Sequence, residues 1–121
     1  MTDDGFGLLR GICLGLPEAT EIGGQMPSFR VRDKTFVWYC DNHHGDGKLA
    51  LWLKAAPGEQ EMLVAADPVK FFAPPYVGPK GWIGVRLDVD PIDWDEIAEL
   101  VEASFRLAAP KRLAAQLDGA G

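Results

Sequence analysis

Two cysteines, Cys13 and Cys40, and two histidines, His43 and His44, are all the thiol and imidazole in this chain. That count excludes a disulfide framework, and the cysteine pair is expected to be reduced. Zinc sites draw about four ligands from Cys, His or carboxylate, often in paired spacings. Only "YCDNHHGDG", residues 39–47, gathers such groups, and no second cluster answers it. Basic charge is scarce as well, with 12 Lys and Arg against 18 Asp and Glu and a formal net charge of −6. Nonspecific nucleic-acid binding needs clustered Lys and Arg, so the sum opposes it, although distribution matters more than the sum. No apolar run approaches the ~18 residues of a membrane span. The start, "MTDDGFGLL", is acidic where a secretory signal is basic. No membrane association and a cytoplasmic location are expected. Internal repeats, low-complexity tracts and long linkers are also missing, so residues 1–121 read as one domain with a "DGAG" tail.

What is present is ordinary globular composition, 47% hydrophobic and 25% charged, enough for a folded core. "FGLLRGICLG" places Phe6, Leu9, Ile12 and Cys13 at helical spacing, with Gly15 suited to a left-handed end and Pro17 blocking continuation. "PSFRVRDKTFVWYC" reads as two extended runs around a tight turn at Asp33-Lys34. "LALWLKA" (49–55) and "WIGVRLD" (82–88) alternate with period 2, the mark of a sheet with one face buried and one open. "PGEQEMLVAAD" (57–67) reads as a helix opened by Pro57. "FFAPPYVGPKG" (71–81) holds a short edge strand at best. In "DPIDWDEIAELVEASFRLAAP", Asp93 is the N-cap with Glu96 three residues on, and Ile92 and Ile97 are placed for a hydrophobic staple. Ile97, Leu100, Val101, Ser104 and Leu107 or Ala108 form its apolar stripe. Pro110 ends it and "KRLAAQL" supplies a last short helix. One antiparallel sheet with helices gathered on one face, an α+β two-layer sandwich, follows from this order.

Several pieces in sequence resemble the MmcQ/YjbR family of small bacterial proteins. They are "LPEATE" (16–21), "PSFRVRDKTFV" (27–37), "LWLKAAP" (51–57), "PPYVGPKGWIGVRLD" (74–88) and "LVEASFRLAAPK" (100–111). The resemblance spans roughly residues 6–115. It implies a CyaY-like fold, in agreement with the element order read above. It also brings a "double wing" DNA-binding description, which stands as fold-level analogy because fold does not imply function. It supplies no established catalytic residues.

The side of the sheet strands opposite the leucines carries Trp52, Lys54, Trp82 and Arg86, while Arg30 and Arg32 share a face opposite Phe29 and Val31. If these faces coincide, basic groups interleave with tryptophans, a surface able to stack bases and meet phosphates, or to hold an anionic peptide. The competing structural reading has the rings packed across strands or under a loop, covered by Lys and Arg stems. The expected role is a non-enzymatic binding module using the open sheet face, with DNA or another nucleic acid as the ligand that the family resemblance implies. The alternative is a protein- or small-ligand-interaction module, and a surface metal site at His43-His44 comes third. No cofactor is expected. Ser28, Ser104, Cys13 and Cys40 are the candidate nucleophiles, and none has the elbow or orienting group that catalysis needs. "DVDPIDWDE" has Asp93 where a calcium loop needs glycine. The histidines of "YCDNHHGDG" are expected at a solvated hairpin tip, with Asp-Asn and two glycines as turn chemistry.

Overall fold

The structure is a computed structural model that describes residues 5–41, 47–89 and 91–118. Its strands are β1 (Thr20–Ile22), β2 (Ser28–Val31), β3 (Lys34–Asp41), β4 (Leu49–Leu53), β5 (Phe71–Phe72) and β6 (Ile83–Arg86). They form one antiparallel sheet in the order β1-β2-β3-β4-β6-β5. The helices are α1 (Gly5–Leu14), α2 (Glu59–Ala66), α3 (Trp94–Ala108) and α4 (Lys111–Ala114). Alternation along each strand sends Phe29, Val31, Val37, Leu51, Leu53, Ile83 and Val85 to one side. There they meet Leu9 and Cys13 of α1, Ile97, Val101 and Phe105 of α3, and Leu113 of α4 in the main core. The α+β two-layer sandwich is therefore the architecture.

Local chemistry explains the element ends, and in places moves them from the expected positions. β2 and β3 join at Arg32-Asp33, one residue before the expected turn, with φ of 50° and 67°. Two left-handed residues make a two-residue turn whose twist matches the flanking strands, and Val31 then pairs with Lys34. The register slips between Phe29 and Arg30, so β3 carries one extra residue. Neighbouring Phe36 and Val37 both join the main core, and Phe36 meets Phe105 edge-on at 5.5 Å. Gly15 does not take the left-handed conformation. Its N–H donates to the Gly11 carbonyl at 3.1 Å, and the reversal falls on Glu18, φ 59°. Strand β1 was not legible, since three residues of "TEI" carry no period. Helix α2 begins at Glu59 behind a left-handed Gly58, which leaves Pro57 outside the helix.

Helix α3 is capped as its sequence predicts. The Asp93 carboxylate accepts from the N–H groups of Asp95 and Glu96, each at 3.1 Å. Glu96 does not complete a reciprocal box; its carboxylate takes the Lys70 ammonium at 2.6 Å instead. That pairing pushes the Lys70 pKa up. The helix buries Ala108 and leaves Leu107 45% exposed. Ser104 is buried in the stripe, with its hydroxyl 3.0 Å from the Leu100 carbonyl and 2.5 Å from the Lys54 carbonyl at the end of β4. One hydroxyl thereby ties α3 to the sheet. Ser104→Ala leaves the Lys54 carbonyl without this donor and is expected to cost about 1–3 kcal/mol in urea unfolding. A Ser104→Ala protein as stable as the wild type would show that the tie contributes nothing.

Candidate functional site

The sheet face away from the main core is where the sequence gathers its tryptophans and cations. Cross-strand pairing sets Ser28, Trp38, Trp52, Gly84 and Phe72 in one transverse row. Arg30, Cys40, Lys54, Trp82 and Arg86 share that face by alternation. Five of the expected site residues, Arg30, Trp52, Lys54, Trp82 and Arg86, are thus on one face. Arg32 is not among them, because the turn removes it from the strand. Its guanidinium instead holds Glu18 at 2.5 and 2.9 Å. This contact keeps the Glu18 carboxyl below its ordinary pKa.

The face is not open at its centre: the rings are packed, as the competing structural reading has it, and the expectation of exposed stacking rings is corrected. Trp52 is 2% exposed and Trp82 7%. With Cys40 they form a second, smaller core against which Met26, Trp38, Phe72 and Val77 pack. The segment after β5 supplies part of the cover: Pro74 and Gly78 are buried, and a short 3-10 turn spans Gly78–Lys80. Gln60 of α2 fastens this segment, its side-chain amide donating to the carbonyls of Gly78 at 3.0 Å and Trp82 at 2.5 Å. Stacking a base needs a free ring face, and neither Trp52 nor Trp82 has one. Trp38, half-buried, is the ring at the margin. Phe72 lies across Gly84, where a Cβ would come within 2.4 Å of the ring. The glycine is the slot that seats the edge-strand ring.

The cations of this face have different fates. The Arg86 guanidinium grips Asp88 through two bonds of 2.9 and 3.0 Å, and Asp88 also accepts from the Leu49 N–H at 3.3 Å. Chiefly through Arg86, the Asp88 carboxyl is held below its ordinary value of 3.8. Lys54 sits over the Trp82 ring, 5.2 Å from its centroid, and Lys48 over Phe72 at 4.9 Å. Arg30 differs: its Nε is buried with no hydrogen-bond partner among the described residues. The acids of α3 lie on the other side of the sheet. Trp38, Phe72 and Met26 belong to the face but were missed in the sequence. "TFVWYC" is apolar almost throughout, so it shows no alternation, and the extra residue in β3 breaks the phase.

Both cysteines are buried and neither forms a disulfide. Burial, with a smaller contribution from Glu21, pushes the Cys13 thiol far up. Among the described residues no group of three or more His, Cys, Asp or Glu is placed to hold a metal. His43, His44 and Asp46 lie outside the described residues, as do Asp3, Asp4 and Asp90. Among the described residues no helix is long and apolar enough to cross a membrane.

These features define a small α+β sandwich whose second sheet face is sealed by aromatic rings. The chain belongs to the YjbR family, whose family model matches residues 14–107. It is similar in fold to the Deinococcus radiodurans protein DR2400, a DUF419-domain protein known from its crystal structure. The two are 24% identical with a TM-score of 0.71, over 91% of this chain and 85% of that one. No curated protein matches the chain.

Two expectations follow from the aromatic face. Gly84→Ala forces the Phe72 ring out of its slot and should cost about 1–3 kcal/mol. In the Phe72→Ala background the same change should cost less, and equal costs in both backgrounds would disprove the contact. The depressed Asp88 pKa contributes stability that is present above the ordinary value and is lost as pH falls below it. Melting temperatures measured across acid pH should therefore fall less steeply in Asp88→Asn than in the wild type. Parallel curves would rule out this coupling.

Proposed function

We propose that this YjbR-family chain acts by binding rather than by catalysis, and that a short single-stranded nucleic-acid segment meets it at Arg30, Trp38 and Lys54. The Arg30 Nε carries the reading, buried without a partner on the same face as Lys54. Arg30 as a residue is only half-buried, and no carboxylate among the described residues answers its guanidinium, so a phosphate oxygen arriving from solvent can pair with that charge. Trp38 offers one ring for stacking beside it. With so few groups available, a short strand fits better than a duplex, which needs an extended basic surface. The "double wing" description of the family it resembles supports the reading by analogy only. Against catalysis stands the burial of every candidate nucleophile: Ser28 and Ser104 are 1% exposed, Cys13 0% and Cys40 3%.

A second reading places an acidic protein segment or small anion on the same groups. The observation favouring it is that Arg86 and Arg32 are already paired with Asp88 and Glu18 in a chain of net charge −6. This leaves few cations to follow a phosphate backbone. The surface metal site at His43-His44 falls outside the described residues and gains no support.

Fluorescence anisotropy of a labelled oligothymidine, titrated at several salt concentrations, tests the proposal. Two phosphate contacts predict a slope of about −1.4 in log K against log salt. Arg30→Gln with Lys54→Gln should abolish binding. Absence of binding at low salt, or binding indifferent to these changes, rejects nucleic acid. Saturable binding of a polyglutamate peptide that depends on the same two residues would then establish the second reading.

A further inference from the structure

On the helix side, away from Arg30, α2 and the C-terminal half of α3 leave an apolar groove between them. It has a volume of about 580 Å³ and is lined by Pro57, Glu59, Met62, Ala103, Arg106 and Leu107, among others. That volume falls within the range of about 300–1,000 Å³ typical of ligand-holding clefts. Met62 is 62% exposed and Leu107 45%. Contiguous apolar exposure marks an interaction surface, and methionine adapts to varied partners. Helix α2 buries none of its residues completely, although Leu63 and Val64 pack against the main core. It has therefore used one side and left Met62 on the other.

The rim chooses the occupant. Glu59 lines the groove itself. Glu99 stands one helical turn before Ala103, on the same side of α3. Arg106, the cation of the lining, is flanked by Glu102 at 3.3 Å and Asp118 at 2.8 Å, so its charge is answered. The surroundings are net acidic around an apolar floor. We infer that this groove docks an amphipathic helix of a partner protein, with its apolar side seated on Met62 and Leu107 and a lysine- or arginine-rich flank meeting Glu59, Glu99 and Glu102. Apolar anchors at i, i+3, i+4 and i+7 are how helices occupy such grooves. A second copy of this chain is disfavoured, because it brings a net charge of −6 and sets acid against acid. The inference is independent of the Arg30 face.

The full chain, isotopically labelled, is titrated with a synthetic helix-forming peptide of Leu and Lys at that spacing, and with a Leu and Glu peptide of the same pattern. Amide shifts with the Leu/Lys peptide should gather at residues 56–62 and 103–107, and the Leu/Glu peptide should leave them unmoved. Met62→Lys with Leu107→Lys, both at exposed positions, should weaken the Leu/Lys peptide by about tenfold or more while circular dichroism stays unchanged. No binding, shifts elsewhere, equal binding of the two peptides, or full affinity in the double variant would overturn the inference. So would a dimer in sedimentation that Leu107→Lys dissociates, which would assign the groove to a second copy.

Discussion

Strands β3 and β4 lie side by side in the middle of the sheet, and both faces of the pair are covered. Val37 and Leu53 face the helices, and their neighbours Trp38 and Trp52 face the other way, into the smaller core. A strand that serves two cores cannot slip by one residue without exchanging the contents of both. This single register therefore fixes where the helices dock, which rings are sealed, and which cations reach the rim. The usual expectation for an antiparallel sheet, one wet face and one dry, fails because the second face is dry at its centre.

The helices and most strands were legible because their signals are local. The Asp93 cap, the stripe of α3 and the alternation of β4 and β6 can each be read within one turn or strand. The same period-2 logic set Trp52, Lys54, Trp82 and Arg86 opposite the buried side of their own strands and Arg30 opposite Phe29, while strand pairing, which no local period reveals, decides that these faces coincide. Their exposure was not legible, because it is decided by chain that is distant in sequence. Val77 and Met26 press on the rings, and Gln60 fastens the covering loop, from segments that read only as proline- and glycine-rich connection or as an unrelated helix. Arg32 was misplaced for a different reason. Its turn contains no glycine or asparagine, so nothing marked it as left-handed.

Charge is sorted by the sheet. The acids of α3 stand on the helix side, where they cap the helix, hold Lys70 and edge the groove above α2. On the far side Arg86 is taken by Asp88, and among the described residues the buried Arg30 Nε is left without a partner. The Glu18–Arg32 pair has a further structural sense. Both residues adopt left-handed backbone, which L side chains resist. Two strained turns at the same end of the paired strands β1 and β2, where Thr20 stands opposite Arg30, are braced further through one carboxylate.

The two cysteines lie on opposite sides of the sheet, Cys13 within the helix layer and Cys40 among the tryptophans. Backbone separates them, so no rotamer change can bring their sulfurs together. Each thiol is shielded by a different set of neighbours, and reagents reach it only when its own layer parts. The molecule thus carries two internal clocks of breathing motion, one per layer, which run at the same rate only if the sandwich opens as a single unit.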